Sequence, residues 1–517
     1  MSERVGHPAG RLLRRLGLFV VVALVTRAPF LAVRCLDLDE AAHLVGARVL
    51  LSGGTPYVDF VDNRPPLVYA YYALAQLVAP GMFPVRLLTA LVVLPLTALG
   101  ASAFFGHDRR GTIAGLLYLV YGAAFLAHDM QSVSCEVLML LPVAWAAVLA
   151  RGAAGPREPA RLCAAGLLVG VGFLLRQQAV LALPALALAA GPSLAGLLLL
   201  GVGFAAPLAA TLLVFAARGA AHELVFFTLV HNLRYAANPI PLAEACERAA
   251  GSLLPFLLVT APLWWATRRS LPLLASARER RLVVGLLALS LPAVFVGLRF
   301  FPHYFVQLYL PLALGAAPWT AAALQAPVSR AGRAAVAWAS LALAGFTVAN
   351  GVLYSGRVRV YEETRPLFQD VAARLRSDPC YRSGPLFVWG FAPQLYAESA
   401  LAPATRFIVP QASLTGYVPG NRASRSGAVD TRALVREDHW QLLLGDLARR
   451  PPAFLLDTAP SGLHGWGAYP LADFPRLHAF VARGYDAVAI VDGVWIWRRR
   501  GCAAPVSLGN PSPGPAR

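Results

Sequence analysis

Long apolar runs separated by short arginine-bearing loops recur from residue 12 to residue 352, and after Tyr354 the pattern stops. Runs of this length, repeated and nearly free of charge, read as membrane-spanning helices rather than as one soluble core. With arginine-rich loops as markers of the inner side, about eleven spans are expected. They cover 12–33, 84–105, 111–127, 136–150, 162–175, 179–190, 194–217, 251–265, 282–298, 305–324 and 334–352. Parity then puts the N-terminus inside and the segment after 354 outside. The outer side receives a long first loop, 34–83, the stretch 128–135, the segment 218–250 and the turn 299–304.

Beyond 354 the periodicity changes to that of a small α/β domain. Helices are expected at 362–376, near 394–398, at 431–448 and at 474–483, and strands at 386–389, 406–409, 453–456, 487–491 and 494–498. Asp492-Gly493 between the last two strands is a hairpin turn signal. Alternation of helix and strand favours a mostly parallel sheet. The division is therefore a transmembrane domain over 1–353, a soluble domain over 354–500 and a Pro-rich disordered end over 501–517. The fold class is a polytopic α-helical membrane protein with a C-terminal α/β domain.

Composition agrees with the pattern. The chain of 517 residues is 57% hydrophobic and 14% charged, with a mean hydropathy of +0.58. Its net charge of +18 would suit nucleic acid, but all 45 basic residues are arginine and many lie in the short inner loops. That placement obeys the positive-inside rule and excludes a nucleic-acid role. The apolar run after Arg11, Arg14 and Arg15 continues to Val33 without a small-residue cleavage site, so it is expected to be a retained first span. The six cysteines lack C-x-x-C spacing. Cys380 and Cys502 could bridge the tail domain, but unpaired small apolar residues are the simpler expectation.

The first outer loop holds five carboxylates in 26 residues, Asp37, Asp39, Glu40, Asp59 and Asp62. Asp37 and Glu40 are spaced as a capping box for a helix over 38–51, which leaves Asp39 over. The order Asp37-Leu38-Asp39-Glu40-Ala41, then Gly53-Gly54-Thr55-Pro56-Tyr57-Val58-Asp59, then Arg64-Pro65-Pro66-Leu67-Val68-Tyr69 resembles the first periplasmic loop of GT-C membrane glycosyltransferases. The likeness is to the bacterial protein-mannosyltransferase-like group with its aminoarabinose-transferase and Rgt-like branches. Arg86, Glu136, Arg176-Gln177, His231-Asn232-Leu233-Arg234-Tyr235 and Pro302-His303-Tyr304-Phe305-Val306-Gln307 continue it in order over about residues 10 to 355. The group often has lysine where Arg64 and Arg176 stand. Arginine keeps the charge and cannot transfer the proton, so both are given electrostatic work only.

The resemblance implies transfer of a sugar from a polyprenyl-phosphate-sugar donor to a lipid, glycan or protein acceptor. The setting would be the outer face of a bacterial inner membrane, in cell-envelope or lipopolysaccharide glycosylation. Asp39 or Glu40 would be the catalytic base, and Arg64, Arg234, His303 and His231 would bind the donor phosphate. Glu136 would contact acceptor or metal, or would act only as a favourable acid at a helix N-terminus. The resemblance fixes no cofactor. A divalent cation stays open, because Asp39, Glu40 and Glu136 offer oxygen ligands and arginines could stand in its place.

Simpler readings stand beside these. Asp39 could extend the helix cap, and His231 and His303 could be interfacial packing. Arg86, two residues inside a span, is expected to be a structural ion pair. Gly170-Val171-Gly172 is expected to be helix packing. Tyr69, Tyr71 and Tyr72 are expected to form an interfacial belt. The competing class, a transporter or flippase for a lipid-linked saccharide, predicts ionisable residues at mid-membrane on broken, repeated helices. This sequence gathers them in outer loops instead.

Overall fold

Every expected apolar segment up to 324 is helical. The computed structural model describes residues 8–125, 127–191, 193–238, 240–325, 365–410, 412–422 and 430–502. The expected last span at 334–352 and most of the expected disordered end, from 503 on, lie outside the described residues. Two compact units are formed. One comprises 1–58, 62–364 and 420–422, and the other 59–61, 365–419 and 423–517.

Among the described residues of the first unit four helices are long and apolar enough to cross a membrane: Met82–Phe104, Leu194–Ala217, Leu242–Leu273 and Ala277–Leu298. Their burial sorts them by position. The apolar window of Met82–Phe104 is 67% buried, whereas that of Leu194–Ala217 is 11% buried and offers its leucines outward, as a lipid-facing helix does when backbone bonding is satisfied within the helix. Pro8–Leu31, Arg109–Tyr121, Cys135–Arg151, Glu158–Phe173, Gln177–Ala190 and Val306–Ala323 fill the other expected spans.

Glycine sets the closest helix crossing. A Cβ at Gly166 would fall 2.1 Å from Leu200 O, one at Gly170 2.4 Å from Phe204 O, and one at Gly203 2.0 Å from Cys163 O. Glu158–Phe173 and Leu194–Ala217 therefore meet backbone to backbone through a small-xxx-small stripe. Gly170 serves packing, as its sequence context implies.

Two further helices follow Pro8–Leu31. Leu38–Leu51 is capped by Asp37, whose carboxylate accepts from Asp39 N. Pro66–Gln76 begins directly after Pro65, where a missing N–H costs nothing. The expected aromatic belt on this helix is corrected. Tyr69 and Tyr72 are wholly buried, Tyr72 donates to Val133 O at 2.7 Å, and both ring edges meet His43.

The second unit is built on a four-stranded sheet, β1 (Leu386–Trp389), β2 (Phe454–Asp457), β3 (Tyr485–Val491) and β4 (Val494–Arg499), in the order β1-β2-β4-β3. Only β1 and β2 pair in parallel, and β4 is antiparallel to both its neighbours. The expected mostly parallel sheet is thus corrected. Asp492 and Gly493, at φ 47° and 82°, form the two-residue turn that obliges β3 and β4 to run antiparallel. The expected strand at 406–409 is absent. There Arg406 spends its backbone N–H and its guanidinium on Asp446, at 2.9 to 3.1 Å, instead of on a ladder. Helices Leu367–Arg376, Gln394–Ser399, Glu437–Arg449 and Pro475–Gly484 match the expected ones within a few residues at most ends. A disulfide joins Cys380 to Cys502, which overturns the expectation of unpaired thiols in this unit.

Candidate active site

Glu40 and Arg86 form the floor of the first outer loop. Arg86 Nη2 lies 2.5 Å and Nε 3.1 Å from the Glu40 carboxylate. That carboxylate also accepts from Leu36 N at 3.0 Å and Val133 N at 2.9 Å, while Arg86 donates to Phe30 O and Val33 O. Glu40 is 1% exposed. With its oxygens committed to four donors it has no lone pair directed at a substrate, and the pair ties three chain segments together. The structural ion pair expected of Arg86 is present, and Glu40 is its partner rather than a base.

Asp39, one position earlier, faces the other way. Its Oδ2 receives Arg64 Nη2, and Arg64 Nη1 donates to Asn63 Oδ1. Tyr57, held at φ 70°, donates its hydroxyl to Arg64 O at 2.6 Å. A non-glycine residue in the left-handed region is strained and persists only where its surroundings enforce it. Here the strain fixes the backbone that carries Arg64. Burial by itself would raise the Asp39 pKa, but the Arg64 guanidinium, with His43 and His303, holds it well below the usual carboxylate range. Asp39 is a charged, weak base while Arg64 is its partner.

Three further cations converge from later segments. Arg176 pairs with Glu136 at 2.9 Å and lies over the Tyr304 ring. His303 Nδ1 is 2.8 Å from Asp129 Oδ1. Burial disfavours the imidazolium, yet Glu136, Asp129 and Asp39 outweigh burial and raise His303 to about 9. Arg299 is the third. It is 1% exposed, its guanidinium stands 4.1 Å over the Tyr235 ring, and among the described residues its polar contacts are two backbone carbonyls, Gly297 O and Asn238 O, each at 3.4 Å. Its Nε meets no acceptor, and no carboxylate lies in ion-pair range of it among the described residues. Leu298 and Phe300 on either side have φ of 53° and 47°, so the turn that presents Arg299 is strained at both flanks. Tyr304 lies within electrostatic reach of Arg176, Arg64, Glu136 and Arg299 together.

Of the residues expected from sequence, the structure brings together Asp39, Arg64, Glu136 and His303. Arg234 is exposed over Phe226, and no described contact joins it to this group. His231 packs against the Phe227 ring. Asp39, Glu40 and Glu136 each face a different arginine, so they are not the trio that could hold a cation. Among the described residues the group whose ligand atoms lie within 4.8 Å of one another is Asp37, Asp129 and His303. Arg299, Asp129 and Asn63 are the members that sequence reasoning missed, while Asn232 and Tyr235 stand in the motif from His231 to Tyr235 with no role assigned there. For Arg299 a signal existed: an arginine on the outer side, where the positive-inside rule makes cations scarce.

No family model matches the chain, and no curated protein matches its sequence. Solved structures do. ArnT from Cupriavidus metallidurans bound to undecaprenyl phosphate superposes with a TM-score of 0.56 at 14% identity, covering 96% of this chain and 100% of that one. The same protein in the apo state gives 0.55 at 15% identity, covering 95% and 98%. Over nearly its whole length the chain has the fold of a GT-C membrane glycosyltransferase.

Proposed function

We propose that the chain transfers a sugar from a polyprenyl-phosphate donor to a hydroxyl of a lipid, glycan or protein acceptor, on the outer face of a bacterial inner membrane. The observation that carries this reading is Arg299. A buried guanidinium with no carboxylate partner among the described residues is costly, and a strained turn maintains it beside two paired arginines and a charged histidine. An anion is the ligand such a site needs. A phosphate oxygen would complete Arg299 and draw on the Nε of Arg176, which also meets no acceptor. ArnT, with which the fold is shared, has been solved with undecaprenyl phosphate bound.

In the reaction, the acceptor oxygen forms a bond to C1 of the sugar while the bond from C1 to the phosphate oxygen breaks. The phosphate keeps the electron pair and is stabilised by the arginines. The acceptor proton passes to Asp39. Arg64 serves twice, because a donor phosphate that draws its guanidinium away from Asp39 also restores the basicity that the pair suppresses. A divalent cation at Asp37, Asp129 and His303 would have to displace the proton that His303 holds, so metal-free catalysis is the simpler mechanism. The C-terminal α/β unit is read as non-catalytic and periplasmic, since a disulfide persists in oxidising compartments.

Purified protein in liposomes, given undecaprenyl-phosphate-linked sugars and membrane acceptors, is expected to form product. Arg299→Ala should weaken undecaprenyl phosphate binding about tenfold or more, in line with the loss of a hydrogen bond to a charged group. No transfer from any polyprenyl-phosphate donor would overturn the reading.

A further inference from the structure

Arg64 is gripped on both arms of its guanidinium, by Asp39 on Nη2 and by Asn63 on Nη1. The Asn63 grip depends on which way its amide points, since the oxygen must face Arg64 and the NH2 must face elsewhere. Asn232, on the outer helix His231–Ala237, decides this. Asn63 Nδ2 donates to Asn232 Oδ1 at 2.9 Å, and Asn232 Nδ2 returns a bond to Asn63 O at 2.7 Å. Were the Asn63 amide reversed, its NH2 would confront Arg64 Nη1, donor against donor, and its oxygen would confront Asn232 Oδ1, acceptor against acceptor.

Asn232 is itself anchored. Its Nδ2 also donates to Thr228 O at 2.9 Å, and the same carbonyl accepts from Gln177 Nε2 at 2.9 Å. Thr228 belongs to the π-helical turn Phe226–Val230. Widened turns of this kind interrupt the regular ladder and recur at functional sites. One carbonyl therefore links the residue after Arg176 to the residue that orients Asn63.

We infer that Asn232 is a positioning residue for the transfer reaction, fixing the amide of Asn63 so that Arg64 keeps Nη1 on Asn63 while its Nη2 passes from Asp39 to the donor phosphate. This rests on the glycosyl-transfer reading for its catalytic meaning, but the positioning itself can be tested without it. A displacement of about 1 Å in such a group costs up to about 100-fold in rate.

The informative variant is Asn232→Leu, which keeps the branching at Cγ and removes all three hydrogen bonds; Asn232→Ala serves if the bulkier leucine variant does not fold. Transfer is expected to fall about 10- to 100-fold, mostly in kcat. Phenylglyoxal labelling of Arg64, followed by peptide mass spectrometry, should accelerate several-fold as the guanidinium is released. The decisive step adds Asn63→Asp to the same background. A carboxylate presents an oxygen in either orientation and needs no partner to set it, so the double variant should regain protection of Arg64 and most of the lost rate. If Arg64 labelling is unchanged in a folded Asn232 variant, or if Asn63→Asp fails to restore protection, the positioning role is overturned. If the wild type shows no transfer while the labelling pattern holds, the glycosyl-transfer reading fails and the positioning role stands.

Discussion

Asp39 and Glu40 are adjacent in sequence and have opposite duties because successive helical positions point about 100° apart. Glu40 is turned into the protein and saturated, while Asp39 is turned toward Arg64. Asp39→Asn is expected to reduce transfer by about 100-fold or more, the scale of general-base loss. Donor affinity and thermal stability should stay near wild type, because the amide oxygen can still accept from Arg64. A stable variant with wild-type turnover would remove Asp39 from the chemistry. Arg64→Ala should lose most of the activity and weaken donor binding, whereas Arg64→Lys should keep a measurable part through charge alone, without the two-armed grip. Unchanged donor affinity in a well-folded Arg64→Ala protein would end its phosphate role.

His303 adds a pH dependence with a definite sign. Its pKa is raised from 6.5 to about 9, so the favourable contribution of the imidazolium is fully present below the ordinary value and is lost as pH rises through about 9. Donor binding measured across that range should decline on the alkaline side, and His303→Gln should remove the decline. At this scale the sequence disclosed Asp39, Arg64, Glu136 and His303, because motif order marks residues whose chemistry is local. It could not disclose Asp129, nor the role of Asn232, which stands in a motif but acts only where distant segments meet.

Secondary structure was more legible than pairing. The helix Leu38–Leu51 follows from its cap and apolar spacing, and Arg86 inside an apolar run implied a buried counter-ion. Which carboxylate would supply it was not readable, since 46 positions separate Arg86 from Glu40 and five acids compete in the first loop. The pair invites a stability test. Removing one partner of a buried ion pair leaves the other uncompensated and costs about 3–5 kcal/mol, so Glu40→Gln or Arg86→Met alone should lower the melting temperature sharply. Glu40→Leu with Arg86→Met should be milder than either single change, because replacing both partners with apolar groups avoids the orphaned charge. A double variant worse than both singles would show that the backbone bonds to Leu36, Val133, Phe30 and Val33 matter more than the ion pair. In the sheet, by contrast, the hairpin at Asp492-Gly493 was legible, but the partner of β2 was not, because strand order depends on contacts made across more than thirty residues.

At the scale of the whole chain, hydropathy separated a helical membrane unit ending at 353 from a mixed α/β unit, whereas the structure splits into two units between 364 and 365, with small exchanges at residues 59–61 and 420–422. What the sequence left undecided was how the second unit is secured. Cys380 lies just after the helix Leu367–Arg376 and Cys502 just after β4, at a sequence separation of 122 and with Cα atoms 5.9 Å apart. Closing a loop of that length restricts the unfolded chain enough to stabilise the fold by about 4–5 kcal/mol in the chain-entropy account. Cys380→Ser, or mild reduction of the wild type, should therefore make the second unit markedly more susceptible to protease while the membrane helices stay protected. The bond also reports on placement, because it persists only where thiols are oxidised. Protein taken from native membranes with free thiols trapped at once should yield the linked peptides of Cys380 and Cys502. Recovery of both as alkylated free thiols would instead remove the disulfide as support for a unit facing the oxidising side, and with it one argument that the reaction proceeds on the outer face.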